Sequence, residues 1–234
     1  MTSPEAPRGV CLVGNTHVQA FRLVDEVLAR VASLPTGGLL DGADGSVLGV
    51  GPGYVGVSVV PEAEDLPALV GVRWLRPTQA PMPLRYGDPA TLGADRLAAA
   101  WGAWCLLGGP VLVVDAGTAT TLSRVGAGGS FDGGAITLGV GATLQALADR
   151  GARLPLVSAA LPAAGLATDT EAAIRLGVVG GHAHTIAGLA GEIAPGVPRV
   201  ITGGSAALLH PLLPGFLHVP DLQARGALAW AFAL

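Results

Sequence analysis

The sequence predicts an α/β protein of two similar lobes, and three observations support this fold class. Strand-like and helix-like segments alternate along the 234 residues, as expected for sheets covered by helices. The 36 glycines and 18 prolines indicate many turns and short strands. Each half begins with a strand hairpin whose tip carries glycine and threonine, Gly14–Thr16 in the first half and Gly117–Thr118 in the second. This weak repeat predicts two lobes, residues 1–107 and 108–234, whose hairpins face a shared cleft.

Composition and charge exclude several classes of protein. Half of the residues are hydrophobic and 13% are charged, so the chain is not disordered. A net charge of −4 provides no basic surface, which argues against nucleic-acid binding. The uncharged stretch 97–114 reaches the lower limit for a membrane span, but Gly108 and Pro110 interrupt it, so we expect a helix, a turn and a strand. Because Glu5 and Arg8 precede the first apolar run, we expect a cytoplasmic protein without a signal peptide or a membrane partner.

The cysteines and histidines predict neither a disulfide nor a metal site. Cys11 and Cys105 both lie in apolar stretches, which favours two buried free thiols. His182 and His184 are two residues apart, so they would face different sides of a helix. We therefore assign no metal site to them.

The apolar pattern predicts the elements in order. Residues 1–8 are a predicted tail, and the proline-rich segment 76–89 is a predicted irregular loop. In the first half we predict strands at 10–13, 17–23, 47–50, 55–60 and 70–75, and helices at 25–33, from 61 and at 92–107. In the second half we predict a strand hairpin at 111–124, strands at 133–136 and 199–201, and helices at 139–150, 168–193, 205–209 and from 221. Pro61 suits the first turn of its helix, and Asp169 suits the start of the longest one.

The segment Val111–Thr121 carries the clearest chemical signal. Four apolar residues lead into Asp115, and Gly117 and three threonines follow. Gly117 allows a tight turn and a close approach of a ligand to the backbone. A carboxylate beside such a turn can hold a cation, and exposed N–H groups can hold a phosphate. On this segment alone, a plain hairpin with a capping aspartate is an equal alternative.

A third glycine turn, Thr202–Gly204, follows another predicted strand. A turn of this kind allows close packing against a base or a ribose. The ordered set of three glycine turns resembles the arrangement in the actin, sugar kinase and Hsp70 superfamily. This likeness implies two ribonuclease H-like, actin-like ATPase lobes around a nucleotide cleft.

Nearly the whole chain resembles the type III pantothenate kinases, the Bvg accessory factor-like group. The resemblance rests on short motifs that occur in the family's order. These motifs are Val13-Gly14-Asn15-Thr16, Ser58-Val59-Val60-Pro61, Tyr86 with Pro89, Gly93-Ala94-Asp95-Arg96, Asp115-Ala116-Gly117-Thr118-Ala119-Thr120-Thr121, Gly133-Gly134-Ala135-Ile136, Thr170-Glu171-Ala172-Ala173-Ile174, Thr202-Gly203-Gly204 and Pro220-Asp221-Leu222. The most specific pair is the Gly-Ala-Asp-Arg motif with the Asp-x-Gly-Thr motif about 20 residues later.

The resemblance implies a role for each matched residue. Asp95 would be the catalytic base that takes the proton from the hydroxyl of pantothenate. Arg96 would bind the pantothenate carboxylate or the developing phosphoryl charge. Tyr86 and the neighbouring Gly93 and Ala94 would complete the substrate segment. Each polar residue also has a structural alternative: Asp95 as a helix cap, Arg96 as a solvated first-turn residue and Tyr86 as an exposed loop residue.

The resemblance implies further contacts to ATP, to cations and to a second subunit. The residues that would bind ATP are Gly14, Asn15, Thr16, Gly117, Thr118, Gly203 and Gly204. Asp115 would bind a monovalent cation, K⁺ or NH₄⁺, and ATP would bring Mg²⁺. Thr170 would reach substrate across a homodimer interface, although a helix N-terminus also favours threonine.

The chain departs from the family pattern at three positions. The first phosphate motif has Leu12 where the family has aspartate, and Gln19 where the family has a basic residue. Leu138 takes the place of a proline in the Gly-Gly-x-Ile motif. Loss of a carboxylate that supports the metal would remove electrostatic stabilisation of phosphoryl transfer.

The expected activity is ATP-dependent phosphorylation of pantothenate to 4′-phosphopantothenate, the first step of coenzyme A synthesis. The expected partners are pantothenate, ATP and a second copy of the chain. The departures leave three possibilities open: a weakly active kinase, a protein that binds nucleotide or pantothenate without turnover, or a regulatory or partner protein.

Overall fold

The computed structural model describes residues 6–234, and the chain divides into two compact units. The first unit contains the chain up to Gly108 together with Gly129–Phe131 and Asp221–Leu234. The second unit contains Gly109–Gly128 and Asp132–Pro220. The predicted lobes, residues 1–107 and 108–234, assign residues 108, 129–131 and 221–234 to the second half, whereas these residues belong to the first unit here, where the closing helix packs against another helix.

The first unit is built on a five-stranded sheet. Its strands are β1 (Gly9–Val13), β2 (His17–Val24), β3 (Val27–Pro35), β4 (Tyr54–Ser58) and β5 (Arg73–Trp74). Its first three helices are α1 (Thr36–Leu40), α2 (Pro61–Glu64) and α3 (Ala94–Leu107). The order in the sheet is β3-β2-β1-β4-β5, with β1 antiparallel to β2 and parallel to β4.

The second sheet repeats this topology. Its strands are β6 (Val111–Ala116), β7 (Ala119–Val125), β8 (Phe131–Leu138), β9 (Arg199–Thr202) and β10 (Phe216–His218). The helices in chain order are α4 (Val140–Arg150), α5 (Thr170–Arg175), α6 (Gly181–Ile193), α7 (Ala206–Leu209) and, in the first unit, α8 (Leu222–Phe232). The order β10-β9-β6-β7-β8 has β6 antiparallel to β7 and parallel to β9. The turns after β1 and β6 therefore hold equivalent positions in the two sheets.

The apolar runs explain why β1 and β6 are the central strands. All residues of both strands are buried, as expected for strands covered on both faces. The thiol of Cys11 lies inside the first core, where burial raises its pKa to about 12. Cys11 and Cys105 are both free, but Cys105 is exposed, so the prediction of a second buried thiol was wrong.

Tertiary pairing overrides the local pattern in the predicted helix 25–33. This segment is strand β3, which pairs with β2 through a two-residue turn. Asp25 and Glu26 adopt left-handed φ values of 48° and 65°, as a tight turn between twisted strands requires. The predicted strand 47–50 was also wrong, because Ser46–Leu48 forms one 3₁₀ turn that ends at Gly49, whose φ is 58°.

The predicted helix, turn and strand of the stretch 97–114 are confirmed, whereas only Arg73–Trp74 of the predicted strand 70–75 is a strand. Stretch 97–114 contains the end of α3, a left-handed Gly108 and the start of β6. No helix among residues 6–234 has the length and apolarity that a membrane crossing needs. In the predicted tail, Arg8 donates its N–H to the Gly53 carbonyl at 2.7 Å, and residues 1–5 lie outside the described residues.

Helices α3 and α8 approach closely through two glycines. A Cβ built on Gly102 would lie 2.9 Å from the Leu222 carbonyl oxygen and 3.0 Å from Gly226 Cα. A Cβ built on Gly226 would overlap the Ala98 carbonyl group. Both positions are buried, so neither neighbour can move aside into solvent.

We expect Gly226→Ala to lower the free energy of unfolding by about 1–3 kcal/mol, because the added methyl group overpacks this contact. Thermal and urea unfolding would measure the loss. Gly188→Ala in α6 is the matched control, since a Cβ there would meet nothing within 4 Å. An equal loss in both variants would contradict the packing explanation.

Candidate active site

The first glycine turn lies at the end of β1 and is braced from α1. Gly14 N–H donates to the His17 carbonyl at 3.0 Å and closes the hairpin. Asn15 and Thr16 are exposed at the tip. Thr36 is 1% exposed, and its hydroxyl donates to the Gly14 carbonyl at 2.7 Å. These contacts fix the backbone and leave the polar tip accessible to a ligand.

The strand-end motif after β4 lies next to this turn. Val59 N–H donates to the Val13 carbonyl at 3.0 Å, which extends the parallel pairing of β1 and β4. A Cβ built on Gly93 would lie 3.8 Å from Val59 Cγ1. The structure therefore brings three of the predicted motifs together in the first unit: the Gly14 turn, the segment after β4 and the start of α3.

The Asp95 carboxylate is packed against Gly93. A side chain at position 93 would overlap Asp95 Oδ1, so the glycine makes room for the carboxylate. Asp95 Oδ1 also accepts the Arg96 backbone N–H at 2.8 Å. Burial raises the pKa of Asp95, although this hydrogen bond and the Arg96 charge act in the opposite direction. A half-buried carboxylate with a raised pKa is suited to accept a proton.

Arg96 lies in an aromatic cluster. The residue is 7% exposed, so the alternative of a solvated first-turn arginine was wrong. Its guanidinium carbon lies 5.3 Å from the ring centroid of Phe131 and 5.9 Å from that of Tyr86. The two rings pack edge to face at 5.9 Å. This arrangement holds a positive charge by cation–π contacts.

Sequence reasoning missed Phe131. Phe131 is fully buried and anchors the segment that carries Tyr86, because its backbone exchanges hydrogen bonds of 2.8 Å with Pro83 and Arg85. The predicted irregular loop thus contains a short bridged segment, Leu84 with Phe131. The signal in the sequence was a single aromatic residue before the Gly133 motif.

The two departures in the first phosphate motif face each other. Leu12 pairs with Gln19 in the register of β1 and β2, so their side chains lie on the same face of the sheet. Leu12 is 6% exposed. This cross-strand pair beside the Gly14 turn therefore carries no charge.

The second unit brings the other two glycine turns together at Asp115. Asp115 is 9% exposed and pairs with Thr202 in the register of β6 and β9. A Cβ on Gly203 would overlap Asp115 Oδ1, and one on Gly117 would lie 3.7 Å from it. Gly203 also has a left-handed φ of 96°, so both space and backbone conformation require glycine there.

The tips of these turns are accessible. Thr118 and Gly204 are exposed. Gly139 N–H donates to the Thr118 carbonyl at 2.9 Å, and a Cβ on Gly139 would overlap the Gly117 carbonyl. Gly139 is therefore a supporting residue that sequence reasoning did not identify.

Thr170 lies elsewhere in the second unit, in a cavity of about 730 Å³. This cavity is also lined by Leu138 and His182. His182 Nε2 lies 2.8 Å from the hydroxyl of the buried Thr120, and burial lowers the His182 pKa. Asp169 caps α5 by accepting the Ala172 N–H at 2.9 Å. A π-helical turn, Leu176–Gly180, joins α5 to α6.

Comparison with known proteins identifies the family. The sequence model of the type III pantothenate kinase family matches residues 53–192. A type III pantothenate kinase from Synechococcus sp. (strain JA-2-3B'a(2-13)) is 40% identical over 230 residues, which covers 92% of this chain and 85% of the relative. The chain thus spans most of the length of this relative.

Two solved structures are similar in fold. One, from Campylobacter jejuni and described as a Baf family transcriptional activator, has a TM-score of 0.65 at 18% identity and covers 96% of this chain and 97% of its own. The other is component A of (R)-2-hydroxyglutaryl-CoA dehydratase from Acidaminococcus fermentans, with a TM-score of 0.52 at 15% identity over 95% of this chain and 97% of its own. Together with the repeated sheets, they confirm the predicted fold class.

We expect Asp95→Asn to stabilise the fold near neutral pH by about 1 kcal/mol, because partial burial disfavours the charged form of the wild-type carboxylate. A raised pKa means that the folded state binds the proton more tightly than the unfolded state. The stability of the wild type therefore falls as the pH rises from the aspartate pKa of the unfolded state to that of the folded state. The gain from Asp95→Asn should therefore be small near pH 3, below the ordinary aspartate pKa of about 3.9, and largest near pH 8, well above it. Urea unfolding at both pH values would measure it.

Asp65→Asn provides the matched control, since Asp65 is an exposed carboxylate of the same unit. A gain from Asp95→Asn that is equal at both pH values would contradict the assignment, as would the same pH-dependent gain in the control.

Proposed function

The chain belongs to the type III pantothenate kinase family, and we propose that it phosphorylates pantothenate with ATP to form 4′-phosphopantothenate, the first step of coenzyme A synthesis. The observation that carries this proposal is the Gly93–Arg96 segment, which sets a proton-accepting carboxylate beside a buried guanidinium. A kinase needs a base and a positive charge near the substrate that accepts the phosphoryl group, and these two residues can provide both. Positioning and charge stabilisation account for most of the rate enhancement in phosphoryl transfer.

Asp95 is the proposed catalytic base. The Arg96 N–H holds Oδ1, which leaves Oδ2 to accept the proton of the substrate hydroxyl as the bond to phosphorus forms. The raised pKa makes the carboxylate a stronger base than an exposed aspartate, so proton transfer is more favourable late in the reaction.

Arg96 and Tyr86 are the proposed substrate-binding side chains. Pantothenate carries a carboxylate, and a guanidinium binds a carboxylate through charge-assisted hydrogen bonds. The rings of Phe131 and Tyr86 fix the plane of the Arg96 guanidinium, which reduces the entropy lost when substrate binds. Gly93 and Ala94 complete this segment through the backbone.

The glycine turns are the proposed ATP-binding elements. In the first unit, Gly14 closes the turn, and Asn15 and Thr16 provide backbone groups and a hydroxyl at its braced, exposed tip. In the second unit, Gly117 closes the turn by donating its N–H to the Ala119 carbonyl at 3.1 Å, and Thr118 is exposed at the tip. Backbone N–H groups at such tips suit phosphate oxygens. Gly203 and Gly204 are exposed and are the proposed contacts to the nucleoside.

The proposed cations are Mg²⁺, brought by ATP, and K⁺ or NH₄⁺ at Asp115. Among residues 6–234, no group of three or more His, Cys, Asp or Glu side chains could hold a metal. This fits Mg²⁺, which typically binds through substrate phosphates, waters and one or two carboxylates. The nearly buried Asp115 carboxylate, packed against Gly203, fits a monovalent cation held by one charge and polar backbone groups.

We also propose a cytoplasmic homodimer in which Thr170 contributes to the substrate site of the second subunit. Two exposed large apolar residues, Leu138 and Leu154, line the Thr170 cavity, as expected for a surface that a second copy would cover. The same unit also exposes Ile136, Leu156, Leu161 and Leu166.

The alternative is an impaired family member that binds nucleotide or pantothenate and acts as a regulatory or partner protein. The Leu12–Gln19 pair favours it, because this pair places no charge beside the Gly14 turn. Without a carboxylate near the metal, the transition state of phosphoryl transfer can lose a few kcal/mol of stabilisation.

We expect the purified chain to convert pantothenate and ATP to 4′-phosphopantothenate and ADP in the presence of Mg²⁺ and K⁺. Asp95→Asn should lower kcat by about 10²–10⁴-fold, the usual contribution of a general base. Detection of phosphopantothenate by mass spectrometry, together with ADP release, would measure the activity of the wild type and of the variant. Asp65→Asn serves again as the matched control.

The absence of product at high enzyme concentration, with ATP or pantothenate binding retained in calorimetry, would support the impaired homologue instead. Full activity in Asp95→Asn would refute the base assignment alone.

We expect the double variant Leu12→Asp/Gln19→Lys to raise kcat by about tenfold or more, because it restores a carboxylate beside the first phosphate turn. Leu12→Asp alone should lower stability, since it buries an unpaired charge. Adding Gln19→Lys should recover part of that loss in stability through a coupling of about 0.5–3 kcal/mol.

Urea unfolding and steady-state kinetics of the wild type, the two single variants and the double variant would measure both effects. Leu12→Asn is the uncharged control, and an equal rate gain in that variant would contradict the proposed role of charge.

A further inference from the structure

We propose that the first unit contains a second anion site, which binds a phosphate or a phosphate ester at the end of the sheet opposite to the Gly14 turn. A cavity of about 550 Å³ lies there, within the usual size of small-molecule sites. Its lining includes Arg8, Arg22, Tyr54 and residues 49–52 of the glycine-rich loop 49–53, and it contains no carboxylate among the described residues.

One row of the sheet provides the base of this cavity. Gly9 pairs with Arg22 on β2 and with Tyr54 on β4, so the side chains of Arg22 and Tyr54 extend from the same face on either side of it. Gly9 has no side chain, and a Cβ there would lie 2.5 Å from the Tyr54 ring. The Tyr54 ring therefore lies over Gly9, in the volume that a side chain there would fill, and it shares this face of the sheet with the Arg22 side chain.

The polar side chains that line this cavity lack partners within residues 6–234. The side chains of Arg8 and Arg22 are exposed and form no ion pair or hydrogen bond with residues 6–234. Tyr54 is 7% exposed, and within the same residues its hydroxyl has no hydrogen-bond partner. Two guanidiniums and a hydroxyl donor, with no carboxylate beside them in the cavity lining within residues 6–234, are suited to a phosphate group.

The glycine loop packs against both arginines. A Cβ on Gly53 would lie 2.7 Å from Arg8 Cδ, and one on Gly49 would lie 3.6 Å from Arg22 Nη2. Both glycines have left-handed φ values, 86° and 58°, so side chains are disfavoured there. The backbone therefore lies directly beside the two charged groups, where its peptide dipoles can contact the same anion.

The site is remote from the proposed ATP-binding turn. Arg8 precedes β1, whereas Gly14 follows it, and the six residue steps between them correspond to about 20 Å at the usual rise of a strand. An anion bound at Arg8 and Arg22 therefore does not displace a nucleotide from the Gly14 turn. The inference goes beyond the proposed kinase activity and does not depend on it.

Calorimetric titration of the full chain with pyrophosphate, with inorganic phosphate and with succinate, each with and without saturating ADP, tests this site. We expect saturable pyrophosphate binding that persists with ADP and weakens at high salt. Arg8→Gln and Arg22→Gln should each weaken it by about tenfold or more, and Tyr54→Phe should weaken it by a smaller factor. Arg30→Gln is the matched control, because Arg30 is an exposed arginine of β3 outside the cavity. Succinate should bind more weakly than pyrophosphate.

Four results would overturn the proposal: no saturable binding, binding abolished by ADP, equal affinity in wild type and Arg22→Gln, or an equal loss in Arg30→Gln. Succinate binding as tight as that of pyrophosphate would refute the assignment to phosphate. Kinase turnover enters none of these measurements, so failure of the proposed activity and failure of this site give different results.

Discussion

Backbone hydrogen bonding gives each unit a central strand with an antiparallel neighbour on one side and a parallel neighbour on the other, and the candidate site depends on this constraint. The antiparallel neighbour must follow through a tight turn, which sets Gly14 after β1 and Gly117 after β6. The parallel neighbour ends at the same edge, which brings the segments after β4 and β9 to those turns. Polar groups thus collect where two buried strands end.

Glycine defines the geometry of both carboxylates. Asp95 lies where a side chain at Gly93 would be, and Asp115 lies where a side chain at Gly203 would be. Gly93 has an ordinary φ of −61°. The backbone conformation therefore does not require glycine, but the space that the missing side chain leaves for Asp95 does. The glycine and the carboxylate act as one unit, and the Gly-Ala-Asp-Arg motif is informative because of this contact.

The sequence predicted the parts of the fold that local patterns determine. The buried runs at β1 and β6, the Gly-Thr turns and the cap at Asp169 follow from period, turn chemistry and capping. Strand β3 did not, because pairing with β2 outweighs the weak local preference of residues 25–33. The position of α8 in the first unit depends on a contact across more than 100 residues, between Gly226 and Ala98.

In the candidate site, too, local motifs predicted some residues, and contacts distant in sequence determine others. Asp95, Arg96 and Asp115 were identified because motifs contain them. Thr36 and Phe131 were not, because they support the site through contacts distant in sequence. The meeting of Leu12 and Gln19 also required the strand register, since two substitutions seven residues apart give no sign that they are neighbours.

The π-helical turn Leu176–Gly180 has a consequence for insertions and deletions in this helix. A π turn accommodates one more residue than an α-helical turn, and each residue rotates an α-helix by about 100°. The extra residue therefore sets the rotational phase of α6 relative to α5. With one residue fewer, a regular helix would turn His182 away from Thr120 while Thr170 kept its place. The length of this short turn thus determines which side chains of α5 and α6 line the same cavity.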